Sequence, residues 1–231
     1  MTDFTHIDTY VFDLDNTLYP AHCHLFGQID RRMSEFIQAR LSLDETSARK
    51  IQKHYYSAYG TTLSGLMKEH GVQPRDFLDY VHDIDVSVVP QDEGLRAAIA
   101  ALPGKRYIFT NGSVRHAENV AGKIGILDLF HDIFDIEAAD YLPKPHEDTY
   151  HAFNRRFGIT PSRAAMFEDL PQNLVAAHAL GKTTVLVQSD ADWMEDEPED
   201  KRPSRPGETY DHVHHVTADL TSFLTGLKTA A

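Results

Sequence analysis

The sequence predicts an α/β protein: a doubly wound parallel sheet that carries a helical insert after its first strand. Three observations predict it. Short β-branched and aromatic runs alternate with amphipathic stretches, the pattern of parallel strands joined by crossover helices. Residues 19–88, directly after the first run, show helical spacing and no strand signal. Polar and acidic residues follow several of the apolar runs, at the carboxyl ends of strands where open parallel sheets bind their ligands.

Composition sets the outer bounds. The 231 residues are 42% hydrophobic and 25% charged, enough for one core with an appended subdomain, which excludes disordered and collagen-like classes. A formal net charge of −13 repels polyanions and excludes a nucleic-acid polymer or an anionic membrane surface as partner. Cys23 is the single cysteine, so no disulfide can form within the chain. A reducing, cytoplasmic setting is expected, with the thiol inert. Residues 1–8 lack the basic and apolar regions of a signal peptide, and no apolar run approaches the ~20 residues of a membrane helix, so neither secretion nor membrane insertion is expected. There is no internal repeat. Residues 195–207, rich in charge, Pro and Gly, read as an exposed loop, and the stretch 192–207 suggests no function.

The first strand is read at residues 7–13, and further strands at 106–110, 164–168 and 183–187, each beside a helical stretch at 92–101, 115–124 or 173–180. In the insert, Leu25, Phe26, Ile29, Met33, Phe36, Ile37 and Leu41 recur every three or four residues, the stripe of an amphipathic helix. Helices are also expected at 46–59, 63–70 and 76–83, separated by Gly60, Gly71 and Pro74. Residues 1–18 and 89–231 therefore form the α/β core, and 19–88 the insert. Residues 211–216 alternate as a final edge strand. The histidines within it, His212, His214 and His215, read as surface residues, since no cysteine or carboxylate stands at zinc spacing.

Chemistry is expected at the strand ends. Asp13 and Asp15 stand two apart, so both carboxylates would point to one side of an extended chain, with Leu14 turned away. Asp169, after the strand at 164–168, adds a third negative charge. Such crowding is costly unless a cation relieves it, and oxygen-only ligands suit Mg²⁺. Asp and Asn also favour turns, so Asp15 and Asn16 by themselves read equally as a strand giving way to a turn. The Asp13-x-Asp15-x-Thr17 pattern recurs too often by chance to decide alone. Lys144 supports it, because Pro143 and Pro145 stiffen the backbone on either side.

The order Asp13-x-Asp15-x-Thr17, Thr110-Asn111, Lys144, Glu168-Asp169 resembles the four motifs of the haloacid dehalogenase superfamily of phosphotransferases, across nearly the whole chain. At closer range, residues 12–19, Phe109-Thr110-Asn111-Gly112 with His116-Ala117, and Lys144-Pro145 resemble its pyrimidine 5′-nucleotidase branch. The resemblance implies a Rossmann-like core with a helical cap at residues 19–88. It also implies that Asp13 attacks phosphorus, that Asp15 protonates the leaving oxygen and later activates water, and that Thr110 and Lys144 hold phosphoryl oxygens. Mg²⁺ would be held by Asp13, the backbone carbonyl of Asp15, and Asp169. Glu168 would help from behind, and Asn173 stands where some relatives carry another Asp. Asp15 argues against carbon–halogen cleavage, because dehalogenases of the superfamily lack this second aspartate. A cap in this position implies a small substrate and closure about hinges near residues 18–20 and 85–90.

Asn111, Arg115 and His116 are expected substrate-binding residues beside Thr110 and Lys144, and His22, Cys23, His24, Tyr55, Tyr56 and Tyr59 are candidates for specificity in the cap. The expected function is Mg²⁺-dependent hydrolysis of a small phosphomonoester, with pyrimidine nucleoside 5′-monophosphates (UMP, CMP) as leading substrates. Phosphoglycolate, a sugar phosphate or a mutase reaction is the alternative within the class. Outside it stands a signalling or binding protein that is phosphorylated on aspartate.

Overall fold

The structure, a computed structural model, describes residues 2–190, 197–198 and 202–230. The chain opens with β1 (Thr2–Phe4) and β2 (Thr9–Phe12), so the first core strand is β2. Four helices follow: α1 (Leu25–Leu41), α2 (Glu45–Tyr59), α3 (Thr62–His70) and α4 (Pro74–Val81). The chain then alternates through α5 (Glu93–Ala100), β3 (Lys105–Phe109), α6 (Val114–Ile124), β4 (Asp132–Phe134), α7 (Glu147–Phe157), β5 (Ala164–Glu168), α8 (Pro171–Ala179), β6 (Thr183–Val187), β7 (His215–Thr217), α9 (Leu220–Thr225) and β8 (Leu227–Thr229). None of the helices among the described residues is long and apolar enough to cross a membrane.

β2 to β7 form one parallel sheet in the order β4-β3-β2-β5-β6-β7, and β1 pairs with β8 in a separate parallel ribbon. Both faces of the main sheet are covered, so its strands are apolar almost throughout rather than alternating. Phe12, Ile108, Ala165, Phe167 and Val185 pack on one face. Val11, Tyr107, Phe109, Met166 and Leu186 pack on the other. Gly104 lets the chain turn into β3: its φ is +86°, and a Cβ there would lie 2.1 Å from Asp8 O.

The insert has its own apolar cluster, including Ile29, Ile37, Leu66, Phe77 and Val81. Its helices start where local chemistry supplies caps. Asp44 accepts from Ser47 N–H at 3.0 Å, Thr61 accepts from Ser64 N–H at 3.0 Å, and Pro74 opens α4. Gly71 closes α3 in the left-handed conformation.

Three expectations need correction. The edge strand is β7, which begins at His215 rather than at 211; His212 Nε2 instead meets Pro171 O at 2.8 Å, and His214 Nδ1 meets Thr184 Oγ1 at 2.8 Å. Residues 195–207 are not simply a solvated loop. Of that stretch 197–198 and 202–207 are described; Glu197 is buried against Lys53 Nζ at 2.6 Å, and Ser204 is buried where it accepts from Gln188 Nε2 at 2.7 Å. The carboxylate is drawn in by the ammonium, a partner 144 residues away that local composition does not reveal. The third concerns elements too short or too polar to read: β1, β4, β8, α7 and α9.

Candidate active site

β2, β3 and β5 lie side by side in register, Phe12 opposite both Ile108 and Phe167. The residues that follow these strands therefore come together at one edge of the sheet. Chain order runs outward from β2 through β3 to β4 and then returns to β5 on the other side of β2, the reversal at which open α/β sheets form a crevice.

Asp13, Thr110, Lys144, Glu168 and Asp169 are all buried there. Lys144 is the centre of the arrangement. Its Nζ donates to Asp13 Oδ1 at 2.7 Å, Glu168 Oε1 at 2.7 Å and Phe109 O at 2.8 Å, which uses all three ammonium hydrogens. Its backbone is pinned by Asn111: Lys144 N–H donates to Asn111 Oδ1 at 2.8 Å, and Asn111 Nδ2 donates to Lys144 O at 3.2 Å. Thr110 Oγ1 accepts from Gly112 N–H at 2.9 Å.

Glu168 is fully engaged. Besides Lys144, Oε1 accepts from Asn173 Nδ2 at 2.6 Å, and Oε2 accepts from Leu170 N–H at 2.9 Å. Asp13, Glu168 and Asp169 each offer an oxygen, all within 4.8 Å of one another. Burial pushes the Asp13 carboxyl up to about 7, against the opposing charge of Lys144 and with Glu168 and Asp15 adding to the push. Burial likewise raises Asp169 well above the ordinary carboxylate range, helped by Glu168 and Asp13. Three carboxylates thus face one lysine. The deficit of positive charge and the all-oxygen donor set fit a hard divalent cation, for which Asp13 and Asp169 are the less committed ligands.

Asp15 shares the cavity lining with Asp13 but has other partners. Its Oδ1 accepts from Tyr19 OH at 2.7 Å and pairs with His116 Nε2 at 2.8 Å. Burial works to raise its pKa, but His116 and Tyr19 outweigh that and hold the carboxyl below its usual range.

Above the strand ends lies a cavity of about 160 Å³. Its floor includes Asp13, Asp15, Thr110, Asn111, Lys144 and Asp169, and its roof is the insert: Phe26, Ile29 and Met33 of α1, Gln52, Lys53 and Tyr56 of α2, and Phe77, Leu78 and Val81 of α4. Gln52 Oε1 is buried without a hydrogen-bond partner among the described residues, while its Nε2 donates to Asp30 Oδ1 at 2.7 Å.

The structure places Asp13, Asp15, Thr110, Lys144 and Asp169 around one cavity, and gives three residues expected to bind substrate other surroundings. Asn111 lines the cavity, yet its amide is occupied by the Lys144 backbone. Arg115 is 63% exposed and faces Asp79 at 3.5 Å, outside the cavity. His116 is only 1% exposed, behind Asp15, with no surface left for a substrate. Of the candidate insert residues, Tyr56 lines the cavity. Tyr55 bonds His70 and Tyr59 bonds Glu69, both within the insert, and His22, Cys23 and His24 are not among the described lining residues. Tyr19, Gln52, Lys53, His82 and Glu197 were missed. Only Tyr19 had a local signal, standing four residues after Asp15 beyond the end of the strand.

Acids converge on one buried lysine at the carboxyl edge of a parallel sheet, under a helical roof, the crevice in which open α/β proteins bind their ligands. The chain belongs to the haloacid dehalogenase-like hydrolase family, whose family model matches residues 7–181. It is 28% identical over 196 residues to Phosphate metabolism protein 8 of Saccharomyces cerevisiae, covering 77% of this chain and 60% of that protein. It is 25% identical over 117 residues to Phosphoglycolate phosphatase of Haemophilus influenzae, covering 45% of this chain and 52% of that protein. The chain thus spans only 60% and 52% of the lengths of these curated relatives. Among solved structures, CbbY from Rhodobacter sphaeroides in complex with phosphate is similar at TM-score 0.62 and 17% identity, covering 96% of this chain and 97% of that one. L-2-haloacid dehalogenase from Xanthobacter autotrophicus is similar at 0.58 and 16%, covering 95% and 97%. The HAD-hydrolase YfnB from Bacillus subtilis bound to magnesium is similar at 0.59 and 16%, covering 95% and 97%. These structures share the fold.

Proposed function

We propose that this chain is a Mg²⁺-dependent phosphomonoester hydrolase whose leading substrates are pyrimidine nucleoside 5′-monophosphates. The observation that carries the reading is the pairing of Asp13, held by Lys144 at 2.7 Å, with a second carboxylate, Asp15, on the same cavity floor. Asp13 attacks phosphorus and forms an aspartyl phosphate, splitting one displacement into two. Asp15 gives a proton to the leaving oxygen and takes one from the attacking water. Lys144 holds Asp13 in place and balances the phosphoryl charge, and Thr110 lies beside it as a donor. Asp13 and Asp169, with the Asp15 carbonyl, would hold Mg²⁺, which would supply positive charge to offset the repulsion between the carboxylate and a phosphate dianion. Asp15 favours phosphate esters over carbon–halogen bonds, because a departing alkoxide needs an acid. The magnesium bound to YfnB and the phosphate bound to CbbY support both ligands.

The substrate's remainder is argued from the roof. Phe26, Ile29, Met33, Phe77, Leu78 and Val81 offer an apolar wall to a planar base, and Gln52 Oε1, unpaired among the described residues, is an acceptor for the uracil N3–H or the cytosine amino group. Phosphoglycolate, named in the Haemophilus relative, is the second reading. Its small anionic leaving group matches this wall less well.

Phosphate release from UMP, CMP, AMP, GMP, phosphoglycolate and hexose phosphates, with Mg²⁺ or EDTA, tests the proposal. UMP and CMP should lead, EDTA should abolish turnover, and Asp13→Asn should lower kcat by at least about 10³-fold. Metal-dependent release confined to phosphoglycolate would replace the substrate, and an Asp13→Asn variant with full turnover would remove the mechanism.

A further inference from the structure

Behind Asp15 runs a polar chain that the roles above leave unused. Asp15 Oδ1 carries both of its bonds, to Tyr19 OH and to His116 Nε2, and Oδ2 has no partner among the described residues. The His116 ring stacks on His82, with centroids 4.4 Å apart and planes 10° from parallel. His82 Nδ1 lies 3.0 Å from Ser113 Oγ. Gly112 admits this close approach: a Cβ there would stand 3.2 Å from His116 Cδ2 and 3.7 Å from His82 Nε2. His82 follows α4 of the insert, whereas Ser113 caps α6 and His116 lies in its first turn. The stack therefore joins the insert to the core directly behind Asp15.

We infer that His116 is a positioning residue for Asp15, and that His82 makes this positioning depend on the docked insert. The inference rests on the phosphatase reading. Two donors on Oδ1 fix the plane of the carboxyl group; they favour the carboxylate, so Oδ2 is the oxygen that takes up a proton before the first step and releases it there. In the first step, Asp13 bonds to phosphorus as the ester P–O bond breaks, and the Oδ2 proton passes to the departing oxygen. In the second, water oxygen bonds to phosphorus, its proton returns to Oδ2, and the bond from Asp13 to phosphorus breaks. His116 faces Oδ1 through Nε2 in both steps and takes no part in the transfer. The flat face of His82 keeps the His116 ring in the plane that aims this donor, and a displaced insert removes that support.

The test compares kcat/KM, which reports the first phosphoryl transfer, on two esters. UMP, or the best alkyl phosphate found, needs a proton on its leaving oxygen; 2,4-dinitrophenyl phosphate does not. General acid–base catalysis is worth about 10²–10⁴-fold, so His116→Leu should lose roughly 30-fold or more on the alkyl ester and at least tenfold less than that on the dinitrophenyl ester. His116→Gln, whose amide nitrogen can stand near the position of Nε2, should recover most of the loss. His82→Ala should show the same leaving-group pattern at roughly 3- to 10-fold, a fraction of the full acid–base contribution. Equal losses on both esters, or a glutamine variant no better than leucine, would overturn the positioning role, and an unaffected His82→Ala would overturn the link to the insert. Should the leucine variant not fold, the glutamine and His82→Ala variants carry the same comparison. Wild-type protein inert on both esters would instead sink the phosphatase reading.

Discussion

Lys144 and Lys182 are buried to nearly the same degree, 2% and 1% exposed, on one stacked pair of rings. Phe109 and Phe153 stack with centroids 4.8 Å apart and planes 4° from parallel; Lys144 Nζ lies 5.2 Å from the first ring and Lys182 Nζ 4.9 Å from the second. Yet their surroundings shift them in opposite directions. For Lys144 burial opposes the charge, but Asp13 and Glu168 outweigh it and hold the ammonium above the ordinary lysine range. Lys182 has the neutral Asn154 Oδ1 at 2.7 Å, and burial brings it down to about 7. Cation–π contact is similar at both, so it does not decide the outcome. Carboxylate partners do. Lys144 lies at the carboxyl edge of the sheet, where acids collect, and Lys182 directly precedes β6 at the opposite edge. The same side chain is thus an electrostatic anchor at one end of the core and a burden at the other.

Lys144→Met should break the comparison hardest. It leaves Asp13 and Glu168 buried without their counter-charge, so turnover should fall by at least about 10³-fold and stability by about 3–5 kcal/mol, read by phosphate release and urea denaturation. If the cost is electrostatic, adding Glu168→Gln should return part of the stability but none of the activity. Next comes Phe153→Ala, which removes the ring shared by the stack. Unfolding should move by about 3–5 kcal/mol, and a loss of less than about 1 kcal/mol would show that the two lysine sites are independently supported.

The smallest effect, with the opposite sign, belongs to Lys182→Met. The folded pKa of about 7 lies below the unfolded value of 10.5, so the unfolded chain binds more protons between these limits. Wild-type stability from this group is therefore complete above pH 10.5 and declines as pH falls toward 7. Methionine removes that slope. The variant should be more stable than wild type by on the order of 1–3 kcal/mol at pH 7, less so at pH 9.5, with the rate of phosphate release in the assay above unchanged. A stability gain equal at both pH values would mean that Lys182 is charged in the fold.

Much of this arrangement was legible from residue order. The runs that become β2, β3, β5 and β6 are apolar because both faces of a parallel sheet are covered, and the stripe through Ile29, Met33 and Ile37 marks α1 for the same reason of burial. β4 has three residues, too few to carry a period, and it exists because β3 offers it an edge. At the site, Asp13, Lys144 and Asp169 could be located because strand ends and flanking prolines are local features. The roles of Asn111 and His116 could not. They follow Thr110 by one and six residues, but Asn111 turns to the Lys144 backbone and His116 turns to Asp15.

What the sequence by itself determined is the periodicity, the breaks between elements, and the placement of acids just beyond strands. These follow from sterics and side-chain spacing within a few residues. Only the tertiary structure decided which groups became partners: Lys144 with Asp13 across 131 residues, Asp15 with His116 across 101, and Lys53 with Glu197 across 144. The reason is physical. A buried charge takes its energy from whatever the fold brings within hydrogen-bond distance, and strand order and insert docking set that distance through the packing of the whole chain.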